Sequence, residues 1–119
     1  MSAPVVACQH APWDAIPVDT PAAGIERRMM VGQQLMACRL HFAPRVITPI
    51  HRHPHEQLTL VLQGRVRFTI EGDERVAAAG DVLHFPSNAE HGATMLDEDV
   101  VLVDVFTPIR EDFLAARQG

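Results

Sequence analysis

From residue 25 to residue 106, apolar and polar side chains alternate in short runs separated by turn residues. A period of two places successive side chains on opposite faces, as in a half-buried β-strand. The pattern predicts eight strands, at residues 25–31, 35–42, 57–62, 66–70, 74–78, 82–85, 91–96 and 100–106. Short strands at this spacing, with no helical periodicity between them, are typical of an antiparallel barrel or jelly roll. We therefore predict an all-β fold.

The two ends of the chain depart from this alternation. Residues 1–24 are rich in proline and alanine and predict an irregular N-terminal arm, followed by one domain over residues 25–119. At the other end, apolar residues at helical spacing predict a short C-terminal helix against the outside of the barrel. Thr107 is a suitable N-cap and Pro108 suits the first helical position, so the helix is expected to begin there.

Composition and charge exclude several classes of function. The 119 residues carry a formal net charge of −5, with no basic cluster beyond Arg27-Arg28, which argues against a nucleic-acid surface. No apolar run is long enough to span a membrane, and the N-terminus lacks the features of a signal peptide. Cys8 and Cys38 are too few for a disulfide framework, so we expect two free thiols in a cytoplasmic protein.

The chain contains neither lysine nor tyrosine, and all ten of its basic residues are arginine. A Schiff-base lysine and a tyrosine general acid are therefore excluded within this chain. Any chemistry must come from histidine, aspartate, glutamate, arginine, cysteine or a bound metal.

The segment HRHPHEQ, at residues 51–57, predicts a metal site. In an extended strand its histidines and Gln57 share one face, while Glu56 lies on the other. The residues on the shared face are His51, His53, His55 and Gln57. Imidazoles that face a barrel lumen are suitable ligands for a divalent metal. The residues alone leave open which of them bind it.

Extended to Gly64, the segment HRHPHEQLTLVLQG resembles the first motif of the cupins, and GDVLHFPSNAEH, at residues 80–91, resembles the second. The resemblance implies a cupin double-stranded β-helix, a jelly-roll barrel, that binds one divalent transition metal (Ni, Zn, Fe, Mn or Co). In the first cupin motif six residues separate the fourth ligand from a glycine, so Gly64 places that ligand at Gln57. The implied metal ligands are His51, His53, Gln57 and His91. The motif leaves out His55, whose role stays open.

The second motif departs from the family at one turn, where the usual glycine is Asn88. Asparagine adopts the left-handed region more readily than most residues, so we expect the turn to be retained. His41 and His84 fall outside the metal-ligand positions of both motifs, and we assign them structural roles.

An amide at position 57 changes the charge of the implied site. Three neutral imidazoles and a carboxylate leave one net positive charge around a divalent ion, whereas three imidazoles and an amide leave both charges. The more positive site favours an anionic substrate and a developing enolate or alkoxide. Gln57 thus favours Lewis-acid chemistry without a change of redox state.

The last predicted strand places Asp104 on an apolar face, between Leu102 and Phe106. Burial of a carboxylate is costly unless it has a partner or a chemical role. Arg110 is the nearest cation in the sequence. A structural ion pair between Asp104 and Arg110 and a role in acid/base chemistry both remain open.

The segment DVFTPIREDFL, at residues 104–114, resembles the C-terminal signature of the KdgF group of cupins, the pectin-degradation proteins. The segments PWDAI and GIERRMMVG resemble that group's N-terminal region. The resemblance implies linearisation of 4,5-unsaturated monouronates from pectin or alginate by ring opening and tautomerisation. It implies Asp104 and Arg110 as catalytic residues, with Arg110 and Phe106 also binding the substrate.

Two other functions remain open, a metal-dependent dioxygenase and a non-catalytic cupin that binds a sugar acid or small metabolite. Each implies a small anionic partner, and neither nucleic acid nor a membrane. The apolar side chains of the arm and of MMVGQQLM, at residues 29–36, suggest a homodimer.

Overall fold

The computed structural model describes residues 6–118, so residues 1–5 of the predicted arm and residue 119 lie outside the described residues. A short 3-10 helix is followed by ten strands and one α-helix. Their bounds are η1 (Trp13–Ala15), β1 (Asp19–Ala22), β2 (Ile25–Val31), β3 (Met36–Phe42), β4 (Ile47–His51), β5 (Glu56–Gln63), β6 (Arg65–Ile70), β7 (Asp73–Ala78), β8 (Val82–Phe85), β9 (His91–Met95), β10 (Val100–Thr107) and α1 (Glu111–Gln118).

The strands form two antiparallel sheets, which confirms the all-β jelly-roll prediction. One sheet has six strands in the order β1-β2-β3-β10-β5-β8, and the other has four in the order β4-β9-β6-β7. Strand β3 shows how the sequence produces this arrangement. Its side chains alternate strictly between buried and half-buried, with Met36, Cys38, Leu40 and Phe42 buried in the core. Such alternation commits one face of the sheet to the core.

All eight predicted strands are present, with ends that differ from the prediction by no more than one residue. The alternation does not reveal β1 and β4. Strand β1 contains Pro21 and β4 contains Pro49, and both strands are mostly exposed. Neither therefore presents the apolar face on which the prediction depends. Strand β1 belongs to the predicted arm and pairs with β2.

The C-terminal helix begins later than predicted. Thr107 is the last residue of β10, and its hydroxyl donates to a backbone carbonyl in the β2–β3 connection, so the expected start at Thr107 is wrong. The N–H groups of Phe113 and Leu114 donate instead to the carbonyl of Arg110. Phe113 and Leu114 pack against the core. In the part of the chain that the structure describes, no helix is long and apolar enough to cross a membrane.

Two turn residues adopt the left-handed backbone conformation that the motifs require. Asn88 has φ 65°, as expected for the residue at the usual glycine position, and its N–H donates to the carbonyl of His53 at 2.8 Å. Gly64 has φ 81°, and a Cβ there would collide with the carbonyl oxygen of Asp99. The turn of the second motif is thus hydrogen-bonded directly to the first motif.

Candidate metal centre and its cavity

Three histidines from different segments converge in the folded chain. His51 ends β4, His91 begins β9, and His53 lies in the connection between β4 and β5. One ring nitrogen from each lies within 4.8 Å of the others. His51 and His91 also face each other in the register of the β4–β9 ladder. The cluster is compatible with a divalent metal site.

The segment HRHPHEQ is not one extended strand, so the assumption behind the parity argument is wrong. Strand β4 ends in the four-stranded sheet, residues 52–55 form a bend, and β5 begins in the six-stranded sheet. Gln57 is nevertheless buried beside His53, and Glu56 is exposed, as parity within β5 requires. The segment therefore crosses between the sheets and contributes candidate ligands from both.

Each imidazole of the cluster is oriented by a backbone carbonyl two residues away. The distances from Nδ1 to the carbonyl oxygen are 2.9 Å for His51 and Pro49, 3.0 Å for His53 and His55, and 2.9 Å for His91 and Ala89. Because a carbonyl oxygen only accepts, Nδ1 carries the proton and Nε2 presents a lone pair. Metal-binding histidines are typically oriented in this way.

A chain of hydrogen bonds joins the cluster to Asp104. The Gln57 amide donates to the Thr59 hydroxyl at 2.9 Å, and this hydroxyl donates to Oδ1 of Asp104 at 2.6 Å. Because the amide nitrogen of Gln57 faces Thr59, its oxygen Oε1 faces Nε2 of His53, 3.1 Å away. Two acceptors thus face each other, and a cation bound to both relieves their repulsion. The residues fit a divalent metal on this ground as well.

Two of the clustered histidines, His53 and His91, have a lowered pKa. Burial lowers the pKa of His53 to about 4, and the charges of Arg110 and His91 contribute to the shift. Burial likewise lowers the pKa of His91, against the effect of its hydrogen bond to a carbonyl. Metal ligation requires the neutral imidazole, so both rings are in the binding form at neutral pH.

Asp104 faces the interior from β10, as its parity predicts, opposite Thr59 on β5 and Cys38 on β3. Burial raises the pKa of Asp104 to about 6, although hydrogen bonds from Thr59 and Gln57 and the charge of Arg110 act in the other direction. A carboxyl group that titrates near neutral pH is suited to proton transfer. Burial also raises the pKa of the free Cys38 thiol to about 12, so this thiol is not a nucleophile.

Arg110 does not form the ion pair with Asp104 that the sequence left open. Its Nε and Nη2 donate to the carboxylate of Asp112 at 3.0 and 2.8 Å. Its guanidinium carbon lies 5.0 Å from the ring centre of Phe106 and 4.0 Å from that of Phe113. The interpretation of Arg110 as the structural partner of Asp104 is therefore wrong, and its charge is held beside two aromatic rings.

One cavity of about 260 Å³ is lined by most of the candidate residues, although His53 is not part of its wall. Its polar lining residues are Arg27, Thr48, His51, Gln57, His91, Asp104 and Arg110. The other walls are largely apolar and include Phe106 and Phe113. Sequence reasoning did not single out Thr59 or Arg27. Both have the inward parity of their strands, which is the same signal that singled out Asp104.

The other histidines within strands or motifs lie outside the cluster. The ring centre of His55 is 5.4 Å from that of His53, and Nδ1 of His55 is buried without a hydrogen-bond partner among the described residues. His41 and His84 each pair with a surface carboxylate, in keeping with the structural roles assigned to them.

Comparison with known proteins agrees with this architecture. The cupin domain family matches residues 38–106. The chain is 36% identical over 107 residues to the pectin degradation protein KdgF of Dickeya dadantii (strain 3937), across 88% of this chain and 93% of that protein.

Solved structures agree as well. An RmlC-like cupin from Shewanella frigidimarina aligns with TM-score 0.84 and 28% identity, across 90% of this chain and 96% of the other. KdgF from Halomonas sp. aligns with TM-score 0.78 and 30% identity, across 82% and 90%. Two histidine motifs that meet inside a jelly roll, together with these matches, identify the chain as a member of the cupin domain family and a relative of the pectin degradation protein KdgF.

Proposed function

We propose that this chain is a metal-dependent enzyme that linearises 4,5-unsaturated monouronates from pectin or alginate breakdown. The observation that carries the proposal is a single cavity with candidate metal ligands, a carboxyl group that titrates near neutral pH and a buried arginine. The kinship with a pectin degradation protein supports the same class of substrate.

The proposed metal ligands are His51, His53, Gln57 and His91. A divalent Ni, Zn, Fe, Mn or Co ion bound there supplies Lewis-acid polarisation of substrate oxygens. The protein orients each histidine through its Nδ1 and turns the oxygen of Gln57 toward Nε2 of His53. A neutral amide leaves the full charge of the ion to the substrate, which suits a carboxylate ligand.

The reaction is an isomerisation and needs no oxidant. The bond between the ring oxygen and the anomeric carbon breaks, the anomeric hydroxyl loses its proton to become an aldehyde, and a carbon of the former double bond gains a proton. Asp104 is the proposed general acid/base that moves this proton, because its pKa of about 6 allows both protonation states near neutral pH. The hydroxyl of Thr59 fixes its orientation.

Arg110 and Phe106 are the proposed substrate-binding residues. Asp112 and the rings of Phe106 and Phe113 hold the Arg110 guanidinium in place, so that little conformational entropy is lost when it meets an anion. Arg110 then binds the uronate carboxylate and stabilises negative charge that develops during ring opening. Phe106 forms part of the wall against the sugar ring.

The decisive experiment mixes the metal-loaded protein with unsaturated monouronates from pectin, alginate and glycosaminoglycans. Loss of the conjugated double bond is followed in the ultraviolet, against the spontaneous rate. We expect acceleration that disappears in Asp104→Asn. No acceleration with any of these uronates contradicts the proposal, and oxygen uptake indicates a dioxygenase instead. Uronate binding without turnover indicates a non-catalytic binding protein.

A further inference from the structure

Arg27 is a second buried cation in the cavity, and the proposed reaction gives it no role. It lies on β2, is 4% exposed and lines the same cavity as His51, Gln57 and His91. A buried guanidinium is costly unless its charge is paired. Asp19 of β1 provides the pair, since Nε and Nη2 of Arg27 donate to its two carboxylate oxygens at 3.2 and 2.7 Å.

The ion pair occupies only one edge of the guanidinium. Nη1 of Arg27 donates to no group in the part of the chain that the structure describes, and it is not among the buried polar atoms that lack a partner. Solvent therefore reaches this atom, and the cavity is the space that Arg27 lines. Two N–H donors on Nη1 are available to a ligand in the cavity.

The order of the strands places Arg27 away from Gln57, the candidate metal ligand that lies in the same sheet. Strands β2 and β5, which carry Arg27 and Gln57, are three strand spacings apart, about 14 Å between their backbones. Asp104 on β10 lies between them. Phe113 forms the wall beside Arg27, whose guanidinium carbon is 4.4 Å from its ring centre. A sugar held at the metal by one end thus extends past Asp104 toward Arg27.

We propose that Arg27 binds a ring hydroxyl of the uronate, at the end remote from the metal. This inference rests on the proposed function, in which the metal and Arg110 hold the carboxylate end. A guanidinium can only donate hydrogen bonds, so its ligand must offer an oxygen that accepts one. Asp19 is less exposed to water than Asp112, the partner of Arg110, so the charge of Arg27 is the more fully compensated of the two. The pair of Arg27 and Asp19 therefore suits a neutral hydroxyl better than a second anion.

Such a contact makes Arg27 a specificity-determining residue. Unsaturated uronates from pectin and from alginate differ in the orientation of a ring hydroxyl, and share the carboxylate and the double bond. A donor fixed at the remote end of the cavity favours one orientation over the other. The preference between the two substrates is therefore set at Arg27, and the rate of the common chemical step is set at Asp104.

The test compares two non-reacting ligands by calorimetry, with protein loaded with Zn²⁺. One is galacturonate, and the other is tetrahydropyran-2-carboxylate, which has the ring and the carboxylate without the hydroxyls. In Arg27→Met we expect the affinity for galacturonate to fall about tenfold and the affinity for the analogue to stay unchanged. The matched control is Arg39→Met, on the outer side of β3, where neither affinity changes.

Because Arg27→Met leaves Asp19 without its partner, the double variant Arg27→Met/Asp19→Asn tests the same contact with both charges removed. We expect the same tenfold loss for galacturonate, and a ratio of kcat/KM values for pectin- and alginate-derived substrates that moves toward one. Equal losses for both ligands, no loss for either, or an unchanged ratio contradict the role of Arg27.

The two proposals fail in different ways. Turnover with unchanged ligand discrimination in the variants overturns the role of Arg27 and leaves the proposed function in place. Discrimination that depends on Arg27, without turnover of any unsaturated uronate, supports the hydroxyl contact and overturns the proposed function. Wild-type protein that prefers neither ligand overturns the role of Arg27 directly.

Discussion

Nε2 of His53 faces Oε1 of Gln57 at 3.1 Å, and neither atom has a proton for the other. The proton of His53 is on Nδ1, where it is donated to the carbonyl of His55, and the amide protons of Gln57 face Thr59. Neighbouring hydrogen bonds thus hold two acceptors together. The arrangement is unfavourable in the metal-free protein and favourable around a cation.

Substitution of Gln57 should change metal affinity in two directions. We expect Gln57→Leu to weaken Zn²⁺ binding at least tenfold, because the proposed ligand oxygen is lost. Gln57→Glu should bind Zn²⁺ more tightly but react more slowly, because a carboxylate neutralises part of the charge that acts on the substrate. Competition with a chromophoric chelator measures both affinities. Gln63→Leu, at the exposed end of the same strand, is the control, and equal affinities in all four proteins refute the assignment.

Asp104→Asn should abolish turnover while the fold and the metal content persist. Asparagine keeps an oxygen that accepts the hydrogen bond from Thr59, but it cannot carry the proton. We expect a fall in kcat of at least a hundredfold, measured by the ultraviolet assay, with metal content checked by elemental analysis. Asp97→Asn, on the exposed surface, should keep full activity. Retained activity in Asp104→Asn would assign the proton transfer to another group.

The stability of the metal-free protein should depend on pH through buried groups that act in opposite directions. His53 has a lowered pKa, so the unfolded chain takes up its proton first, and stability falls as the pH drops from about 6.5 to about 4. Asp104 has a raised pKa, so its contribution is present below about 3.8 and is lost as the pH rises through about 6. Between pH 4 and 6 the contribution of Asp104 offsets part of the loss due to His53 and to His91, whose pKa is also lowered by burial.

Variants separate the two contributions. Asp104→Asn should lose stability on acidification more steeply than the wild type, by up to about 1.4 kcal/mol per pH unit, and His53→Gln less steeply. Urea unfolding at several pH values between 4 and 7 gives the three slopes. Parallel slopes would mean that neither group changes its pKa on folding.

Gly64 and Gly72 provide a matched pair for the turn requirement. Both have positive φ, but a Cβ at Gly64 meets the backbone of Asp99, whereas a Cβ at Gly72 meets nothing within 4 Å. We expect Gly72→Ala to cost about 1 kcal/mol, the conformational cost alone, and Gly64→Ala to cost several kcal/mol. Urea unfolding measures both free energies. Equal losses of stability would show that the backbone near Asp99 shifts to accommodate the Cβ at no free-energy cost.

The homodimer suggested by the apolar side chains of the arm and of residues 29–36 stays a prediction. Within one chain, the arm and part of that segment already lie together, since Trp13 and Ile16 line a groove with Met30 and Leu35. Size-exclusion chromatography with light scattering at micromolar concentration tests the expectation, and the mass of a monomer refutes it.

The fold could be predicted from the sequence wherever one face of a strand is apolar. Strand β3 alternates without exception, and its bounds were predicted to within one residue. Strand β4 could not be predicted in this way, because its side chains are mostly exposed and it is held by pairing with β9. Backbone pairing leaves no mark on the pattern of hydrophobic residues.

The candidate site was predictable in part, through the two motifs that resemble those of the cupins. The resemblance of the two motifs implies that His51, His53 and His91 bind one metal, and the structure places the three side chains together. The partner of Arg110 was not predictable, because Asp112 belongs to a helix whose start depends on contacts of β10. The alternation along β2 predicts that Arg27 faces the interior. It does not predict whether this arginine is structural or functional, because its ion pair with Asp19 is known only from the structure.

The crossing of HRHPHEQ between the sheets has a consequence for folding. His51 and His91 belong to the four-stranded sheet and Gln57 to the six-stranded sheet, so an ion held by all three cross-links the two layers. Closure of the layers and occupancy of the site are then linked equilibria. A core mutation far from the histidines that loosens the contact between the layers should lower metal affinity, and added Zn²⁺ should restore its melting temperature toward that of the wild type.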